Sequence, residues 1–87
     1  MAHSFNKDVS GIQLRAARAL LGWSGNELSK RSGVGLASIR RFENGDFSKA
    51  IASTRQAQIN ALEKQGIEFT GTVDKNPGVT LHRAKSI

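Results

Sequence analysis

The stretch Trp23–Gly45, WSGNELSKRSGVGLASIRRFENG, constrains this chain more than any other, because it reads as two short helices joined by one tight glycine turn. Ser24 is followed three residues later by Glu27, a capping box in which hydroxyl and carboxylate each take an orphan backbone N–H at a helix start. Leu28 supplies the apolar line of that helix and Ser29 a small contact point. Gly33 stands where the helix must stop and the chain reverse, since a residue without Cβ takes positive φ at little cost. Val34 fills the corner. The second helix is predicted from about Leu36 to Asn44, with Ile39 and Phe42 on its inner face and Arg40 and Arg41 on the other. A helix anchored on one side and presenting arginine on the other has the shape a DNA major groove admits.

These residues resemble the helix-turn-helix of the phage repressor and Cro-like (XRE) family. The likeness is carried by Leu28, Ser29 in place of the usual alanine, Gly33, Val34, Ile39, Phe42 and the closing Glu43-Asn44-Gly45. It reaches back through Leu14–Ser24 and forward to about Phe69, roughly two-thirds of the chain. The resemblance implies a mainly α fold, a four-helix repressor-like domain over residues 10–66 followed by a short β-hairpin. It also implies roles. An arginine matching Arg18 pairs with the glutamate, here Glu43, that closes the recognition helix. Residues matching Leu36, Ala37 and Arg41 reach base edges. The loop after Gly45 approaches phosphate, which makes Lys49 a positioning contact. Two departures stand out: the family usually has glutamine where this chain has Gly25, and Ser or Thr where it has Gly35. Asn26 is then the residue placed to take over one contact, since a helix N-terminus itself donates to phosphate.

The flanking segments read as support. Ser10–Gln13 is a second capping box and opens a helix through Leu21, with Ile12, Leu14, Ala17, Leu20 and Leu21 apolar and Gly22 as its stop. Trp23 is expected to pack over the junction with the next helix. Residues 46–52 form a linker with Phe47 as an apolar plug. Ser53–Gln56, a third capping box, predicts a fourth helix to about Gln65, though a start near Ile51 stays open. Its apolar face is thin, because Arg55 and Gln58 occupy places where the family has aliphatics. Beyond Gly66 the period changes to alternation at Ile67–Thr70 and Val79–His82, around the turn Asn76-Pro77-Gly78, which predicts a hairpin over residues 67–83. Two strands alone are marginal. The hairpin therefore lies on helix four or pairs with its copy in a second chain; relatives ending in a G-I-E-F strand suggest a homodimer through these C-terminal strands. Residues 1–9 read as a loose arm and 84–87 as a tail.

Eighty-seven residues allow one domain with one modest core. Thirteen Lys and Arg against seven Asp and Glu give a formal charge of +6, which suits a polyanionic partner and equally a solvated surface, so position must decide. The chain lacks cysteine, which removes disulfide and thiolate chemistry. No apolar run approaches the about 18 residues of a membrane span, and MAHSFNKDVS has no signal-peptide centre. A cytoplasmic, nucleoid-associated protein without membrane contact is the expectation.

The resulting reading is a sequence-specific double-stranded DNA-binding transcriptional regulator, a repressor acting as a homodimer on a palindromic operator. Arg41 is the first candidate for base readout, because a guanidinium bonds O6 and N7 of guanine in one plane. Leu36 and Ala37 suit a thymine methyl, Ser38 a base or a phosphate, and Arg40 the backbone. The alternative is a protein-interaction module, an antiactivator or antitoxin, on the same scaffold; an apolar patch joining Leu36, Ala37, Trp23, Phe47 and the hairpin would favour it. Lys30 and Arg31 read first as charges complementing a helix C-terminus. No cofactor, metal or catalysis is expected: His3 and His82 lie near opposite ends, without metal spacing or a nucleophile elbow.

Overall fold

The computed structural model describes residues 9–46, 52–72 and 75–82. Among them the order is α1 (Gly11–Leu21), α2 (Gly25–Ser32), α3 (Leu36–Glu43), α4 (Ala52–Glu63), β1 (Ile67–Thr70) and β2 (Gly78–Leu81). Ser10 caps α1 as expected: its Oγ accepts from the Gln13 N–H, and Gln13 Oε1 accepts from the Ser10 N–H at 2.9 Å. At α2 only half of the expected box forms. Ser24 Oγ accepts from the Glu27 N–H at 3.0 Å, but the Glu27 carboxylate turns to Arg31 instead. Gly33 ends α2 at φ 78°, the left-handed conformation the reversal needs. Helix α4 begins at Ala52, so Ser53 lies inside it and cannot be its N-cap, which corrects the third capping box. Val9, assigned to the arm, is buried and belongs to the core. The rest of the arm, the tail, Phe47 and Lys49 lie outside the described residues.

Leu14 and Ala17 of α1, Leu28 of α2, Val34 of the turn, Ile39 and Phe42 of α3, Ile59 and Leu62 of α4 and Ile67 of β1 form one core. Each fully buried aliphatic contributes about 1.5–3 kcal/mol, and the inner faces of all four helices meet there. Gln58 is fully buried among them with neither amide atom hydrogen-bonded.

The strands pair antiparallel, Ile67 with Leu81 through Thr70 with Gly78. The hairpin rests on its own chain, β2 against α1 and β1 against α4, so helix four is the smaller part of its support. Gln13 Nε2 donates to the carbonyls of Thr70 and Gly78, both at 2.9 Å, and so ties the start of α1 to the last pair of the sheet.

Candidate nucleic-acid interface

Hydroxyl groups hold the turn between α2 and α3. Ser29 Oγ donates to the Val34 carbonyl and Ser32 Oγ to the Leu28 carbonyl, each at 2.7 Å, while the Val34 N–H donates to Ser32 Oγ at 3.1 Å. Ser29 thus clasps the corner in a way an alanine cannot. From that corner α3 projects with Ile39, Phe42 and Glu43 buried beneath it.

The C-terminal end of α3 is locked. Arg18 Nε and Nη2 each donate to Glu43 at 2.8 Å, a bidentate pair, and Nη1 donates to the Trp23 carbonyl at 3.0 Å. The bond to Glu43 raises the Arg18 guanidinium above its ordinary value, against the opposing effect of burial. The pairing expected from the family resemblance is therefore present. Arg15 adds a bond to Asn44 Oδ1 at 3.2 Å and lies 3.7 Å from the Glu43 carboxylate. Gly11 brings the first turn of α1 so close that a Cβ there would overlap the Phe42 carbonyl oxygen.

The N-terminal end is held more lightly. Gly35, its N-cap, offers no side-chain bond. Leu36 is half-buried, and a Cβ on Gly25 would stand 2.9 Å from Leu36 Cδ1. The missing glutamine at Gly25 and the leucine at position 36 are thus one packing solution: the glycine leaves room that the leucine occupies.

The outer face carries Ala37 and Arg40 exposed, with Arg41 and Ser38 half-buried. Arg40 and exposed Asn26 line a cleft of about 240 Å³ between α3 and the start of α2. Ser38 lines a second, of about 300 Å³, with Ser32, Ser53 and Thr54, so hydroxyls flank the helix on that side. Arg15 and Arg18 are bonded to Asn44 and Glu43, Arg31 to Glu27, and Arg55 is likewise engaged. Arg40 and Arg41 are the two arginines without a partner among the described residues. Guanidinium groups left unpaired on one helix face can donate to phosphates and base edges.

Arg31 is spent twice, at 2.7 Å from Glu27 and 4.8 Å above the Trp23 ring, so Trp23 is a half-buried packing residue capped by a cation. Among the described residues no group of His, Asp and Glu is arranged to hold a metal ion. Three features that position the site escape sequence reasoning: the close approach at Gly11, Gln13 as the hairpin's tie, and the Gly25–Leu36 contact. A glycine directly after a helix cap, where better helix formers are available, was the available signal for the first.

A glycine-hinged pair of helices, the second locked by a partly buried ion pair with free arginine outward, defines a helix-turn-helix domain. Residues 14–58 match the helix-turn-helix family, and the chain belongs to that family in its XRE form, whose members are DNA-binding transcription regulators rather than enzymes. No curated protein matches the chain. Among the described residues no helix is long and apolar enough to cross a membrane.

Proposed function

We propose that the protein is a sequence-specific repressor that binds a palindromic operator as a homodimer and occludes transcription. The observation that carries this reading is the contrast among the arginines: those on α1 and α2 are engaged, while Arg40 and Arg41 on α3 are free. Arg41, in line with Ala37 one turn earlier, is the base reader; Ala37 meets a thymine methyl. Arg40 and Asn26, which share a cleft, take one phosphate strand, and Ser38 takes the other side. Leu36 contributes by wedging α3 against Gly25, with its apolar edge next to the bases. Lys49, which lies outside the described residues, adds a phosphate contact. Half-sites stand about one helical turn apart, about 34 Å. Such a protein works in the cytoplasm on nucleoid DNA.

The test is a gel-shift series on operators recovered by selection from random oligonucleotides. Arg41→Ala is expected to relax preference at one base pair, at about 1–3 kcal/mol, while Lys49→Ala weakens all sequences alike and lowers the salt slope. Equal losses for both variants on operator and random DNA overturn this division of labour. A protein that passes heparin like a neutral one of its size, with no selected motif, favours the antiactivator or antitoxin reading instead.

A further inference from the structure

The two large apolar side chains left exposed among the described residues are Ile12 at 74% and Leu20 at 47%, and both stand on α1. They are eight residues apart with Ala16 midway, so the three share a face other than the one carrying Leu14 and Ala17 into the core. Ile12 and Ala16 also wall a cleft of about 210 Å³ whose far side is Pro77, Gly78 and Val79, and no charged side chain lines it. The neighbouring cation, Arg15, is turned to Asn44 and Glu43.

We propose that this stripe is a two-fold interface with a second copy of the chain, α1 lying antiparallel on its counterpart with Ala16 at the axis. The inference rests on the homodimer of the preceding section and gives it a surface. Two features select a twin as the occupant. Ile12–Ala16–Leu20 is symmetric about its centre, so reversal sets Ile12 on the partner's Leu20 and Leu20 on the partner's Ile12, the self-complementarity a two-fold contact requires. Alanine at the crossing lets the two helices approach, because interaxial distance follows the size of the side chains between them. Charge makes the second argument. Molecules of +6 repel wherever cations meet, and this stripe is neutral, so like-charged copies can touch there. An acidic partner is drawn to the free arginines of α3 instead. The cleft beside Val79 then receives an aliphatic side chain of the second copy, which brings the C-terminal strands into the same contact.

Since the chain contains no cysteine, one introduced thiol reports the contact cleanly. Ala16→Cys is expected to form a disulfide-linked dimer on mild oxidation, because residues at a two-fold axis fall within the about 7 Å Cα separation a disulfide spans. Asn60→Cys, exposed on α4, should stay monomeric on a denaturing gel. Ile12→Glu and Leu20→Glu should each weaken dimerisation about tenfold or more by sedimentation equilibrium, with an unchanged far-UV circular dichroism spectrum. A wild-type dimer that is insensitive to Ile12→Glu and is not cross-linked by Ala16→Cys overturns the surface and leaves the homodimer standing. A wild type monomeric both alone and on operator DNA overturns both. A thiol at position 16 that neither cross-links nor alkylates means the stripe is covered by its own chain, which also overturns the proposal.

Discussion

The helices on either side of the motif are attached to it in opposite ways. At the joint between α1 and α3, Arg18 and Glu43 meet through two short bonds, the third Arg18 nitrogen finds the Trp23 carbonyl, and Gly11 allows backbone to approach backbone. Helix α4 instead brings Ile59 and Leu62 into the common core and packs on α2, and its one buried polar side chain, Gln58, has no hydrogen bond. The first joint is directional and fixes an angle; the second closes the floor of the core without specifying one. A polar side chain stabilises an interior when its partners are all present and destabilises it when they are not.

The sharpest way to break this contrast is Arg18→Ala. It leaves the Glu43 carboxylate, 6% exposed, without its main partner and should cost about 3–5 kcal/mol in urea unfolding. A loss below about 1 kcal/mol would make the joint no more directional than α4's. Gly11→Ala comes next: the added methyl must push α1 off the Phe42 carbonyl, at about 2–3 kcal/mol, with a parallel loss of DNA affinity as α3 tilts. Gln58→Leu should act in the opposite direction and raise stability by about 1–2 kcal/mol in the same assay, because it removes two unanswered polar atoms. Destabilisation there would put the two joints on an equal footing. The smallest effect belongs to Glu27→Gln. The Arg31 hydrogen bond, then the charges of Lys30 and Arg31, lower the Glu27 carboxyl, so its contribution is present above the usual carboxylate range and fades as pH falls through the lowered value. The variant should lose a slight part of the acid-side slope in a stability–pH profile and leave both joints intact.

The directional joint was also the more legible one. Ser10, Ser24, Gly33 and the Ile39/Phe42 spacing state their local conformations directly, because capping and turn chemistry act within four residues. The Arg18–Glu43 pair could be anticipated because the family resemblance spans both residues. Helix α4 is less legible: with Arg55 and Gln58 on its apolar side, periodicity does not set its start, Ser53 imitates a cap one residue inside the helix, and the open alternative near Ile51 lies beside the observed Ala52. Spacing alone gives no sign that Gly25, eleven positions before Leu36, leaves room for its side chain. The hairpin's existence followed from alternation, but its seat did not. A capping glutamine gives no sign that its amide nitrogen also reaches the far end of the chain.

That amide has a consequence for how the molecule comes together. Gln13 bonds residues 57 and 65 positions away, so one side chain buckles the earliest element of the domain to the latest. Closing so large a loop is entropically the most demanding step, and it is expected late in folding, after the central helices have met. With the domain's two extremities stitched side by side, a circular permutant joined there and opened elsewhere would keep the buckle, whereas trimming the hairpin would unfasten the first helix too.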